Sequence, residues 1–183
     1  MRYPETTVPL RDGSSLTLRS AGPEDADAVL AYLEATTAET PYLLREPGES
    51  SFTPEQERQF LQGRADSPRD LMLLGFYEGE LVGSCALASM GPFRRRVAHR
   101  CEVSIALYRK FCGKGMGTAM MTALLAQAKA AGYEQAELTV MADNKPAIAL
   151  YERLGFVSCG TLPHNMKYAD GSYADACWMA KPL

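Results

Sequence analysis

Leu16 and Leu18 alternate with Ser15, Thr17 and Arg19, and this period of two predicts a first strand over residues 10–20. Ala21-Gly22-Pro23 closes it. Pro23, Glu24 and Asp25 suit the first turn of a helix, and Ala26, Val29, Leu30 and Leu33 then recur at helical spacing to about Thr37. Residues 39–51 hold Pro41, Pro47 and Gly48 and show no period, which predicts a long exposed loop of the kind that often borders a binding site. Thr53-Pro54-Glu55-Gln56 has capping-box form and opens a short second helix with Phe60 and Leu61 as its buried side. Residues 70–77 and 80–90 are apolar runs around Glu78-Gly79, a hairpin signal. Gly91-Pro92 turns the chain into residues 100–108, where Cys101, Val103, Ile105 and Leu107 face one way and Glu102, Ser104 and Ala106 the other.

Helical spacing returns over residues 116–131, with Met116, Met120 and Leu124 in one row and Met121 and Leu125 beside them. Gly132 supplies the stop, and residues 135–141 form a strand, so strand, helix and strand make a parallel crossover. Asp143 or Asn144 caps a further helix to about Arg153, with Pro146 in its first turn and Gly155 at its end. Residues 156–161 and 173–181 close the sheet across a polar loop with Pro163, Asn165, Asp170 and Gly171. The pattern predicts an α/β chain, an α+β mixed sheet of about seven strands with about four helices, as a single domain over residues 1–183.

Composition narrows the partners. A net charge of -3 gives no global attraction to polyanions, and Arg94-Arg95-Arg96 with Arg100 reads as a solvated hairpin turn, so no nucleic acid is expected. Five cysteines without a C-x-x-C pair imply neither a disulfide framework nor a zinc ribbon, and reduced thiols suit a cytoplasmic setting. With only His99 and His164 and no clustered ligands, no metal is expected. No apolar run approaches a membrane span or a signal-peptide core, so no membrane association is expected either.

The chemistry concentrates in Phe111-Cys112-Gly113-Lys114-Gly115-Met116-Gly117-Thr118, a glycine-dense turn leading into the apolar helix. Such a turn brings backbone N–H groups close to a ligand, and the helix start adds partial positive charge, so a phosphate or pyrophosphate is the natural guest. Lys114 is followed by Gly115 where a nucleotide-binding P-loop needs Ser or Thr for magnesium. The turn also lies past mid-chain and lacks G-x-G-x-x-G spacing, although Glu137 stands about where a dinucleotide fold seeks a ribose-binding acid.

Cys112-Gly113-Lys114-Gly115-Met116-Gly117 resembles the pyrophosphate motif [Gln/Arg]-x-x-Gly-x-[Gly/Ala] of the GNAT superfamily of acyl-CoA-dependent N-acetyltransferases, matching at both glycines and departing at Cys112. Residues 144–156, Asn-Lys-Pro-Ala-Ile-Ala-Leu-Tyr-Glu-Arg-Leu-Gly-Phe, are similar to that family's second signature, N-x-x-A-x-x-L-Y-x-x-x-G-F. The resemblance covers essentially the whole chain. It is most like bacterial small-amine and amino-acid acetyltransferases.

That resemblance implies a transferase that moves an acetyl group from acetyl-CoA (coenzyme A) to a primary amine of a small molecule by direct attack. It implies that Cys112, Gly113, Lys114, Gly115, Met116, Gly117 and Thr118 surround the pyrophosphate, that backbone groups of Ile105, Ala106 and Leu107 hold the pantetheine arm and thioester, and that Asn144 and Tyr151 contact the same co-substrate. Tyr151 is the implied acid toward the departing sulfur, since a phenol donates at neutral pH. An alkyl amine is only about 0.1% neutral at pH 7, so a base or water relay is needed, and Glu102 is the candidate, with a plain solvent-facing strand residue paired to a neighbouring Arg as its alternative. Tyr42, Arg45 and Glu46 in the first long loop, with His164 and Tyr168 in the last, are the candidate border of the acceptor pocket. A ping-pong route through Cys112 is the lesser chemical alternative. A CoA-binding regulatory or catalytically silent protein is the lesser functional one. Dimers are common among such enzymes, so a homodimer stays open.

Overall fold

The computed structural model describes residues 1–49, 52–91 and 93–183. The last part of the predicted loop, at Ser50 and Ser51, and Pro92 of the Gly91-Pro92 turn lie outside the described residues. Among the described residues the chain forms eight strands in one sheet and four α-helices. They run as β1 (Thr6–Pro9), β2 (Ser15–Ser20), α1 (Ala26–Glu39), α2 (Pro54–Asp66), β3 (Leu71–Tyr77), β4 (Glu80–Ser89), β5 (Arg100–Leu107), α3 (Met116–Ala130), β6 (Gln135–Met141), α4 (Lys145–Arg153), β7 (Val157–Lys167) and β8 (Tyr173–Pro182). The sheet order is β1-β2-β3-β4-β5-β6-β8-β7. Only β5 and β6 pair in parallel, across the predicted crossover through α3, and every other neighbouring pair is antiparallel.

The eighth strand comes from the N-terminus, where the sequence predicts one strand over residues 10–20. Leu10 and Ser14 close a turn instead, with the Leu10 N–H bonded to the Ser14 carbonyl at 2.8 Å and Asp12 accepting from the Ser14 amide at 3.0 Å. This reverses the chain and lets Thr6–Pro9 pair with Ser15–Leu18. The second helix keeps its capping box, with Thr53 and Gln56 bonded reciprocally. Its buried side differs from expectation: Leu61 and Glu57 are buried, whereas Phe60 is exposed and meets Phe52 with the rings tilted at 49°. At the other end β7 runs through Pro163, which is tolerated because β7 is the outer edge and need not donate there.

Alternation along the strands divides the core between the two faces. Met116, Met120, Met121 and Leu124 of α3 are buried against Leu16, Leu18, Leu73, Cys85, Leu87, Cys101 and Val103, and α4 packs beside them through Ile148, Leu150 and Tyr151. Ala26 and Val29 of α1, Leu61 of α2 and Leu74 of β3 form a smaller cluster on the opposite face. Fully burying each Leu or Met side chain contributes roughly 1.5–3 kcal/mol, so truncating Leu124 to Ala costs about 2–5 kcal/mol. No described helix is long and apolar enough to cross a membrane.

Candidate active site

β5 and β6 stay together for only three rungs, Arg100↔Gln135, Cys101↔Ala136 and Glu102↔Glu137. Beyond them β5 remains on β4 as far as Leu107↔Gly83, and β6 remains on β8 as far as Met141↔Ala176. The two strands therefore part and leave a wedge inside the sheet. The Met90 N–H donates to the Arg100 carbonyl at 3.3 Å and the Tyr108 N–H to the Val82 carbonyl at 3.0 Å, which turns the even-numbered residues of β5 toward β4. The amides and carbonyls of Val103, Ile105 and Leu107 consequently face the wedge. Ala106 does not: its carbonyl accepts from the Tyr32 hydroxyl at 2.7 Å and lies so close to Gly83 that a Cβ there would collide with it. An extended guest carrying amides fits such an opening as an added strand would.

The wedge leads to the glycine turn. After a 3-10 turn at Arg109–Phe111, Gly113 and Gly115 take φ of 79° and 83°, a left-handed conformation that a side chain resists. Open space surrounds both Cβ positions, so the loop lies bare. The first α-helical bond of α3 runs from the Ala119 N–H to the Gly115 carbonyl at 3.0 Å, leaving the amides of Met116, Gly117 and Thr118 without intrahelical acceptors. The helix has no side-chain cap and no acidic residue in its first turn, so nothing there competes with an anion. Lys114 is exposed, its ammonium 5.6 Å over the Phe111 ring. Burial, and then the charge of Glu39, pushes the Cys112 thiol up, so it stays protonated at neutral pH, with its Sγ 3.7 Å from the Tyr108 carbonyl.

Tyr151 and Glu102 stand on opposite faces of the sheet beside this wedge. Tyr151 is on the inner side of α4, buried, and packs edge-on against Phe156 at 5.9 Å. Its hydroxyl makes no hydrogen bond among the described residues and is not one of the fully buried unpaired polar atoms, so it keeps some solvent contact, while burial of the side chain pushes the phenol up to about 12. It is thus a neutral donor throughout the physiological range. Asn144 caps α4, its side-chain oxygen accepting from the Ala147 amide at 3.3 Å. Glu102 is exposed on the α1 side, at the last rung before the strands part. Its neighbour Arg100 is not its partner. The Arg100 guanidinium bonds both oxygens of Glu137, with Nη2 2.6 Å from Oε2. Glu137, only 2% exposed, also accepts from Gln135 at 2.8 Å, and Arg100 holds its carboxyl below the usual range despite the opposing effect of burial.

The sequence model of the Acetyltransferase (GNAT) family matches residues 34–156. This chain belongs to the GNAT acetyltransferase family. The L-amino acid N-acetyltransferase AaaT of Escherichia coli is 31% identical over 120 residues, 64% of this chain and 71% of that protein. A GNAT-family acetyltransferase from Streptococcus pneumoniae superimposes with a TM-score of 0.86 at 27% identity, over 92% of this chain and 99% of the other. The yncA protein of Salmonella typhimurium, solved with its cofactor acetyl-CoA, shares the fold with a TM-score of 0.80 at 18% identity, over 92% of this chain and 94% of the other.

Around this GNAT core, the loops gather only part of the expected acceptor border. The Tyr168 hydroxyl donates to the Pro41 carbonyl at 3.3 Å, joining the α1–α2 loop to the β7–β8 turn. Burial raises the Tyr168 phenol, and the Asp143 carboxylate adds to this. Arg45 and Glu46 turn elsewhere. With Leu30, Leu33, Glu34 and Thr37 they line a cavity of about 20 Å³ against α1, and the charge of Arg45 reaches the buried Glu57 of α2. His164 stacks on Tyr173 at 4.5 Å within the exposed hairpin. The sequence pattern marks Asp143 only as a possible helix cap and does not single out Tyr32. Tyr32 is legible only as one more apolar position of α1, because its hydrogen bond spans 74 residues.

Proposed function

We propose that this GNAT acetyltransferase uses acetyl-CoA to acetylate the α-amine of a free, amino-acid-like small molecule by direct attack, as a single domain over residues 1–183. The wedge carries this reading, because its bare main-chain edge at Val103, Ile105 and Leu107 joins the glycine turn to Tyr151 on one face and Glu102 on the other. The exposed amides of residues 113–118 fit a diphosphate and the wedge fits an amide-bearing arm, so the residues present match coenzyme A. Bound there, the co-substrate supplies an acetyl thioester.

Glu102 takes a proton from the acceptor ammonium, directly or through water, and frees the nitrogen lone pair. An N–H of β5 that faces the wedge stabilises the negative charge on the thioester oxygen as the N–C bond forms and the C–S bond breaks. The attached nitrogen, which still carries two protons, gives one to solvent as the carbonyl re-forms, and Tyr151 donates to the departing sulfur and recovers its proton from solvent. Cys112 takes no part, since its thiol is held protonated and directed at a carbonyl. The likeness to an L-amino acid N-acetyltransferase supports the acceptor class. The five free cysteines support a cytoplasmic setting.

The test is thiol release from acetyl-CoA with a panel of amino acids, polyamines and peptides with free N-termini. Saturable turnover on amino acids is expected. Turnover confined to peptides or polyamines overturns the acceptor class, and saturable acetyl-CoA binding without turnover on any amine overturns the enzyme reading in favour of a silent binder.

A further inference from the structure

The Arg100–Glu137 pair occupies the fork of the wedge. Arg100 lies on the first parallel rung and Glu137 on the third, so the bidentate bond crosses from β5 to β6 along the direction in which the strands part. Glu102 is the register partner of Glu137, on the same face, and neighbouring strands are about 4.8 Å apart. One guanidinium therefore stands beside two carboxylates and serves only the buried one. Gln135 and the Trp178 indole complete the shell of Glu137, while the carboxylate of Glu102 has no hydrogen bond or ion pair among the described residues.

We propose that the Arg100–Glu137 pair is a positioning device for Glu102: it holds the last rung closed and keeps the neighbouring Arg100 occupied, so that Glu102 stands without an ion-pair partner among the described residues at the apex of the wedge, ready to accept a proton. This rests on Glu102 being the base. The groups facing Glu102 are few. β5 contributes Arg100 and Ser104, β6 contributes Gln135, Glu137 and Thr139, and β4 presents only Ala86 and Ala88. From α1 the Tyr32 hydroxyl reaches Ala106. From α2, Arg64 donates to the Leu87 carbonyl at 3.3 Å and lies 4.0 Å from Asp70. Behind β6 stand Trp178 and Ala180 of β8.

Two substitutions move Glu102 in opposite directions. Arg100→Gln leaves the Glu137 charge unbalanced beside Glu102 and disfavours the ionised form of Glu102. Glu137→Gln releases Arg100 to pair with Glu102, lowers the midpoint and reduces kcat/KM by masking the base. The measurement is carbon-13 carboxyl NMR of Glu102, assigned by the loss of its signal in Glu102→Gln, alongside the pH profile of kcat/KM. Arg100→Lys is expected to restore part of the wild-type midpoint, which a purely structural role does not require. Midpoints that stay fixed or move the same way in Arg100→Gln and Glu137→Gln overturn the proposal. If Arg100→Gln fails to fold, the isosteric Glu137→Gln decides alone through the direction of its shift. A pH profile unchanged in Glu102→Gln removes Glu102 as base, and the NMR midpoints still show separately whether the pair governs its charge.

Discussion

Replacing Tyr151 with phenylalanine removes one oxygen and leaves the ring against Phe156, so rate and stability respond separately. The phenol sits at about 12, whereas a thiol ordinarily titrates near 8.5. It is therefore the weaker acid, and in the proposed mechanism its main contribution would be a hydrogen bond to the sulfur as charge develops, with proton transfer late. General acids contribute about 10²–10⁴-fold, and this mismatch points to the lower end, roughly a hundredfold loss in kcat or about 2.7 kcal/mol. Folding stability does not follow the rate. The ring is buried, but its hydroxyl keeps some solvent contact and has no protein partner among the described residues, so its removal leaves the melting temperature unchanged to within about 2 °C. Initial-rate thiol release from pH 6 to 9 and thermal unfolding of the same preparation measure both. A Tyr151→Phe enzyme with wild-type kcat at every pH refutes the acid assignment, and one that melts markedly lower refutes the claim that the hydroxyl has no structural partner.

Further expectations concern the glycine turn and alkaline stability. Gly115→Val forces a β-branched residue to φ of 83° and is expected to abolish acetyl-CoA binding in a calorimetric titration, while Cys112→Ala binds as wild type; the reverse order contradicts main-chain recognition. Gly117→Ala should fold and bind, since its added Cβ would make ordinary contacts at 3.5–3.8 Å with Leu150, Leu107 and Ile105. Tyr32 and Tyr151 both rise to about 12 from 10, so their contribution is fully present below pH 10 and is lost as pH climbs toward 12, by up to about 3 kcal/mol each. Urea titrations at pH 9 and pH 11 should show this decline, and Tyr151→Phe should reduce it; an unaltered slope excludes the burial argument.

Local rules carried much of the fold into the sequence. The Thr53 capping box, the Glu78-Gly79 hairpin and the period-two face of Cys101 and Val103 each depend on neighbours a few residues away, and each is present. The glycine turn was legible because its spacing alone limits what can cap α3. Long-range pairing was not. Nothing in the run of residues 135–141 tells that β6 leaves β5 after three rungs, or that Glu137 draws Arg100 away from Glu102. The candidate acceptor loops are the least legible, because Arg45 answers to Glu57 and the α1 surface while Tyr168 answers to Pro41, choices made by tertiary contact between aperiodic segments.

The wedge also bears on how such a protein diverges. If the donor is gripped by amides and carbonyls, its recognition is not written in side chains, and drift at Val103, Ile105 or Leu107 is limited by core packing and not by ligand chemistry. A fold shared at 18% identity is the expected outcome of that freedom. Acceptor selectivity, on the proposed function, would by contrast reside in the replaceable loops around Tyr42 and Tyr168. Exchanging those loops between related enzymes should therefore change the amine that is acetylated while the affinity for the common donor is inherited intact.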